Sequence, residues 1–402
     1  MTIFPRDRYL NQLVSFHGSE LICVVTGMRR SGKSSLLKLY RDWLVNEKKI
    51  EEKNIVYINF ESLKYANLTV YQALYEHVFR ISAQAGTKVF LLFDEIQNVK
   101  DWEKAVNALR VDCDCEIVLT GSNARLLSGE LATLLAGRYV EIQMFPLSFD
   151  EFLEFRKDSA DDIHKSFDAF LRFGGLPGLH ELQTSPRATA QYLNDVFNSV
   201  LLKDVVSRNN IRDTELLNRI IQFIFDNVGS TFSAKNISDF LKSQGRKLGV
   251  ETIYNYLDYL ENAFVIERVK RFDLKGKKYL ETQEKIYAAD VGIRNSILGY
   301  RPSDIAGILE NLVYLNLRQK GLGKNGTLEV DFVASKDGEV LYVQVCYQLT
   351  PENLEREIAP LRQIKDNYPK LILTLSDLMT GDIEGIKIRN LVDFLAEPIA
   401  NF

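Results

Sequence analysis

A chain of 402 residues is too long for one core of ordinary size and is expected to divide into two or three domains. Hydrophobic residues make up 46% and charged residues 26%, the proportions of a soluble globular protein, and a net charge of −4 argues against a surface that coats nucleic acid or anionic membrane along its whole extent. The start, MTIFPRDRYLNQLV, is charged and broken by proline where a leader would carry an apolar run, and no later stretch reaches the roughly 18 to 20 apolar residues of a bilayer span; a cytoplasmic protein with no membrane partner is expected.

The first informative stretch is LICVVT-GMRRSGKS-SLLKLYRDWL, which reads as a strand, a turn and a helix. The turn fits G-x-x-x-x-G-K-[ST], with Gly27, Gly32, Lys33 and Ser34 in the defining places and Met28, Arg29, Arg30 and Ser31 between them. Glycines at those positions let main-chain N–H groups converge on phosphate oxygens, and the donors opening the next helix, Ser35 among them, add positive potential. Lys33 is expected to neutralise the β and γ phosphates of ATP, and Ser34 to hold Mg²⁺. A second strand, KNIVYINF, and a helix near Val70–Ser82 follow.

Next comes KVFLLFDEIQ, an apolar run delivering Asp94 and Glu95 at the C-terminal edge of a strand buried on both faces. Asp94 is the expected metal-side carboxylate, acting through water, and Glu95 the base that polarises the attacking water. A third parallel strand, EIVLTGSN, ends in Thr120, Ser122 and Asn123. These groups would contact the γ phosphate or the lytic water if the strand lies between the other two, or serve as ordinary turn and cap residues.

From Thr231 onward, two short helical patterns, a strand, a basic turn at Gly276 and another strand follow the order of a winged helix-turn-helix. The recognition helix expected at about Val250–Ala263 carries Glu251, Asp258 and Glu261 and no lysine or arginine, which would repel phosphate. The turn that follows holds Arg268, Lys270, Arg271, Lys275, Lys277 and Lys278 against Glu267 and Asp273. Contact with nucleic acid and packing against protein both remain open there.

Further on, Glu310 falls on an amphipathic helix and Asp331 on a strand paired with the next through an Asp-Gly turn. Restriction-type nucleases gather Mg²⁺ with such acids and a lysine, but the last strand here reads Gln344-Val345-Cys346, and cysteine cannot supply the fixed charge. A nuclease-like fold without catalysis, used for docking, is expected, with a helix and strand from the C-terminal stretch completing its sheet. Cys23, Cys113, Cys115 and Cys346 show no C-x-x-C pairing, and the four histidines lie in separate segments, so neither zinc nor disulfide is expected.

The stretches GMRRSGKSSLL, LLFDEIQ, LTGSNARLLSGELATLLAGRYVEIQMFPLSFDEF, FGGLPGL and KIYAADVGIR, spread from about Asn11 to about Gln348, resemble the additional-strand AAA-type ATPases related to signal-transduction ATPases with numerous domains. The nearest likeness is an archaeal and bacterial family that appends a winged helix and a nuclease-like C-terminal domain of unknown function. That resemblance implies two further roles: Arg138 as the cation meeting a γ phosphate in its own or a neighbouring subunit, and Pro177 as part of a motif packing a second domain against the nucleotide base. It also makes KIYAADVGIR a strand and turn joining the last two parts.

The expected architecture is thus an α/β P-loop ATPase domain over residues 1–155, a helical and winged-helix region over 156–285 and a mixed α/β nuclease-like domain over 286–402, with hinges near 159–165 and 275–278. The expected function is a regulatory switch that binds ATP and hydrolyses it to ADP and phosphate, with ATP, ADP and a protein partner or a homo-oligomer as its expected partners. The alternatives are an ATP-locked DNA-binding regulator and an ATP-dependent nuclease.

Overall fold

The computed structural model describes residues 4–127, 137–156, 162–182, 185–246, 248–273, 278–322, 330–376 and 379–398. The chain divides into two compact units, residues 1–145 with 262–264, and residues 146–261 with 265–402.

In the first unit helix α1 (Asp7–Ser15) precedes strand β1 (Ile22–Thr26), helix α2 (Lys33–Asn46), β2 (Ile55–Asn59), α3 (Tyr71–Ala85), β3 (Val89–Asp94), α4 (Trp102–Asp112), β4 (Cys115–Gly121) and β5 (Tyr139–Gln143). The strands form one sheet in the order β2-β3-β4-β1-β5, and every ladder is parallel. Parallel strands joined by helices are covered on both faces, which is why β1 and β3 are buried along their whole length and read as unbroken apolar runs. Alternate residues divide between two cores. Ile22, Val24, Leu91, Phe93, Ile117 and Leu119 meet Leu74, Val78, Ala105 and Leu109 of α3 and α4, whereas Val25, Leu92 and Val118 meet Leu13, Leu36, Leu37 and Tyr40 of α1 and α2. The condition set on β4 is met: it lies between β3 and β1, so it carries its polar end between the turn after β1 and the acids after β3.

The second unit opens with α5 (Phe149–Phe155), whose start is a capping box between Ser148 and Glu151, and continues with α6 (Ile163–Phe173), α7 (Pro186–Val200), a π-helical turn (Leu201–Ser207) and α8 (Thr214–Asp226). Strand β6 (Thr231–Phe232), helices α9 (Ala234–Ser243) and α10 (Val250–Asn262), and strands β7 (Ile266–Asp273) and β8 (Lys278–Ala288) follow, the strands forming an antiparallel sheet in the order β6-β8-β7. Helices α11 (Val291–Leu298) and α12 (Ile305–Gln319) lead to β9 (Phe332–Lys336), β10 (Glu339–Cys346), α13 (Leu354–Arg362), β11 (Lys370–Thr374), β12 (Gly381–Ile383), β13 (Ile386–Asn390) and α14 (Leu391–Ala396). The second sheet is mixed, in the order β12-β13-β11-β10-β9, and β9 turns into β10 through Asp337 and Gly338, both at positive φ, as the Asp-Gly pair led one to expect.

One element differs from expectation. After β8 the stretch AADVGIRN does not turn but forms helix α11, begun by Asp290, whose carboxylate accepts from the Ile293 N–H at 3.0 Å. The turn was what the resemblance implied; Gly292 instead lies inside the helix, where a Cβ would stand 1.9 Å from the Phe173 carbonyl oxygen, so only glycine allows so close an approach. The basic turn at Lys275, Gly276 and Lys277 lies outside the described residues, as do the side chains of Arg271 and Lys278 and most of the expected hinges.

Candidate functional site

The turn between β1 and α2 is shaped by its glycines. Gly27 has φ of 140°, and a Cβ there would lie 2.1 Å from the Met144 carbonyl oxygen, on the segment leaving β5. Gly32 has φ of 106° and stands at the N-cap of α2, where no side chain caps the helix. The opening N–H groups of α2 therefore have no side-chain acceptor at the cap, the arrangement in which a helix start accepts phosphate.

Lys33 is buried, and its Nζ donates to the carbonyl oxygens of Gly27 and Met28, both at 2.9 Å. The ammonium thus folds back along its own loop, 3.8 Å from Glu95 Oε1. Ser34 is half-buried on the first turn of α2, and Ser35 beside it is exposed. Arg29 points to Glu61, at 2.7 Å, while Arg30 is exposed and at positive φ. Ser31 is fully buried; its hydroxyl has no hydrogen-bond partner among the described residues, and its carbonyl oxygen accepts from Arg6 at 3.0 Å.

Asp94 and Glu95 close the opposite side. Asp94 is fully buried and accepts from Thr120 Oγ1 (2.6 Å) on one oxygen, and from Asn59 Nδ2 (2.8 Å) and the Tyr57 hydroxyl (3.2 Å) on the other. Burial, reinforced by this carboxylate, pushes the Tyr57 phenol above its ordinary value. A carboxylate has about four lone-pair directions, so three donors leave room for one more, which suits contact with a metal through water. Glu95 occupies the left-handed region (φ 57°, ψ 49°), its N–H donates to Thr120 Oγ1 at 3.0 Å, and its Oε2 accepts from Gln97 and, at 3.1 Å, from Ser122.

The residues therefore fit a nucleotide with Mg²⁺: close-packed glycines, an uncapped helix start, a lysine aimed by two carbonyls and an acid with spare acceptor capacity. Thr120 and Ser122 join the acids directly. Asn123 is buried next in sequence, and its carbonyl oxygen begins a 3₁₀ turn by accepting from Leu126.

One expected site residue of the first unit is not brought to this group. Arg138 is exposed, and its carbonyl oxygen bonds Ile22 N at the N-terminal edge of the sheet, the length of β1 (about 13 Å) from the phosphate turn. Pro177 belongs to the second unit and opens a 3₁₀ turn there (Pro177–Leu182). Before it, the Gly175 N–H donates to Asp290 Oδ2 at 2.8 Å and the Gly175 carbonyl accepts from Leu147 N at 2.7 Å.

A second polar cluster lies in the second unit. Glu310 and Asp331 both accept from Lys285 Nζ, at 2.7 and 3.3 Å, Glu310 also accepts from the Tyr287 hydroxyl at 2.6 Å, and Gln344 bonds the Asp331 N–H and Glu357. Cys346 carries no charge into it; burial pushes its thiol up to about 11. The ammonium comes instead from β8, 46 residues before Asp331, a source the local pattern could not show. Asn59, Tyr57, Gln97 and Arg6 were likewise missed. Gln97 stood inside the acidic motif and Asn59 ended a strand, but nothing in the sequence marked either as a partner.

A model of an AAA domain matches residues 19–153, and one of a domain of unknown function (DUF8612) matches residues 164–304. An uncharacterized protein of Haemophilus influenzae is 40% identical over 401 residues, covering 98% of this chain and 99% of that one. An uncharacterized protein of Methanocaldococcus jannaschii is 32% identical over 378 residues, 89% of this chain and 82% of that one. Among solved structures, a Walker-type ATPase of Pyrococcus abyssi shares the fold with a TM-score of 0.54 at 18% identity, over 74% of this chain and 96% of that one.

Proposed function

Since the chain belongs to one family with these relatives from Haemophilus influenzae and Methanocaldococcus jannaschii and carries an AAA domain, we propose that it binds ATP with Mg²⁺, hydrolyses it and uses the cycle as a regulatory switch. The observation that carries this reading is the placement of Lys33, held by Gly27 and Met28, beside the Asp94–Glu95 pair across the turn. Gly27 to Ser35 would bind phosphate through main-chain donors, with Lys33 supplying the charge and Ser34 and Asp94 facing the metal. Bound Mg²⁺ would offset charge on the phosphate oxygens. Glu95 would take the proton of the attacking water, which requires Oε2 to leave Gln97 and Ser122 or Oε1 to serve instead. Thr120 and Ser122, bonded to the two acids, would register the state of the γ phosphate. Arg138, remote in its own chain, would act only on a neighbouring copy.

The test pairs two variants. Lys33→Ala should abolish saturable binding of a fluorescent ATP analogue, and Glu95→Gln should keep that binding while turnover falls by about 10² or more. Saturable binding that survives in Lys33→Ala, or full turnover in Glu95→Gln, would remove the assigned roles.

A second reading, contact with duplex DNA through α10 and the β7–β8 hairpin, draws support from one observation. Asp258 and Glu261, the charges that would repel phosphate, are paired with Arg268 at 2.5 and 2.7 Å, so Glu251 is left as the acid on that helix without such a pairing to Arg268. Salt-sensitive binding to duplex DNA, lost when Lys275, Lys277 and Lys278 are neutralised, is expected if this reading holds. The nuclease reading is the weaker one, because Lys285 takes up acceptor positions on Glu310 and Asp331 that a divalent ion would need. A docking role for this part of the chain agrees better with that closed ion cluster.

A further inference from the structure

Arg6 stands just before α1 and is buried, with 5% of its surface exposed. Its Nη1 donates to two main-chain carbonyl oxygens far apart in sequence: Ser31 at 3.0 Å, inside the phosphate turn, and Phe145 at 2.7 Å, the last residue before the chain enters the second unit. The guanidinium lies 4.6 Å from the centre of the Tyr9 ring, and the Tyr9 hydroxyl accepts from the Phe145 N–H at 3.1 Å. One arginine and one tyrosine, three residues apart, therefore hold both polar groups of a single peptide residue at the exit from β5.

The bond to Ser31 has a geometric consequence. The Ser31–Gly32 peptide is planar and trans, so drawing its C=O towards Arg6 aims the Gly32 N–H the opposite way. Gly32 is the uncapped N-cap of α2, and its N–H is among the donors expected to grip phosphate. Lys33 does the same for the other end of the turn by holding the carbonyls of Gly27 and Met28. A buried cation bonded to carbonyls also adds positive potential beside the turn without occupying it.

We propose that Arg6 is a positioning residue for nucleotide: it fixes the outer carbonyl of the phosphate turn and, through the same guanidinium, ties the state of that turn to Phe145 at the head of the passage into the second unit. The proposal rests on the ATP reading above. A phosphate that shifts the Ser31 peptide alters the bond it shares with Arg6, and the Arg6–Tyr9 pair carries that change to both polar groups of Phe145.

The experiment uses the full chain and two readouts: titration with a fluorescent ATP analogue, and backbone amide exchange over residues 140–147 with and without ATP. In the unaltered protein, ATP should slow exchange at Phe145. Arg6→Gln should weaken binding tenfold or more and abolish that slowing; Tyr9→Phe, which removes the acceptor for the Phe145 N–H, should abolish the slowing too. If Arg6→Gln does not fold, Arg6→Lys decides the matter, since a lysine can keep charge but not the fixed fork, and intermediate affinity is expected. Unchanged affinity and an unchanged exchange response in the folded Arg6 variant would overturn the proposal. An unaltered protein that binds no nucleotide would instead overturn the ATP reading on which it rests.

Discussion

Glu95 is held in a backbone conformation that costs a residue with a side chain on the order of 1 kcal/mol or more, and its carboxylate is restrained by Gln97 and Ser122. Such a restraint occupies acceptor positions of the oxygen it touches, which are then not open to the proton of an attacking water. Gln97→Ala should therefore raise basal ATP turnover about threefold with KM for ATP little changed, as steady-state kinetics would report. A fall in kcat would mean that Gln97 aims the base rather than restraining it. The candidate residues Gly27, Lys33, Asp94 and Glu95 could be picked out by type and spacing because each sits within a few positions of the strand end that delivers it. Their supports were not. Asn59 reaches Asp94 across 35 residues and Arg6 reaches Phe145 across 139, and no local pattern encodes which distant side chain a fold brings in.

Among the elements, the junction of β1 and α2 leaves no room for a side chain at its first glycine. Gly27→Ala would push a methyl group into the Met144 main chain, which cannot rotate aside, while also forcing alanine to a φ of 140°. Thermal denaturation should show a midpoint lower by about 4 °C or more, and nucleotide titration a tenfold or greater loss of affinity. The parallel strands of the first unit were readable as apolar runs. The position of β4 was only a condition in the sequence, since strand order depends on crossovers; Thr120 and Ser122 at its end made sense once it lay beside β3. The turn that the resemblance implied after β8 is instead helix α11. Gly292 is a breaker by propensity, but here it lets a helix lie against the backbone at Phe173, and packing overrides propensity.

For the whole molecule, a buried acid in the second unit joins segments more than a hundred residues apart. Asp290 accepts from the Gly175 and Ile293 N–H groups, and burial nevertheless pushes its carboxyl from 3.8 up to about 6. A carboxyl raised in this way binds its proton more tightly in the folded state, so its contribution is fully present below about 3.8 and is lost as pH rises through about 6. The loss amounts to about 3 kcal/mol at most. Asp290→Asn, which keeps an acceptor but cannot titrate, should remove roughly 6 °C from the decline in melting midpoint between pH 4.5 and 7.5. An identical decline in both proteins would show that other groups set it. The same clasp bears on how the gene can be divided for expression. A cut after Phe145 leaves Leu147, Gly175 and Asp290 on one polypeptide, whereas a stop codon after Lys285 would discard the acid, strip Gly175 of its acceptor and bare the surface that α11 covers; the shortened product is expected in inclusion bodies.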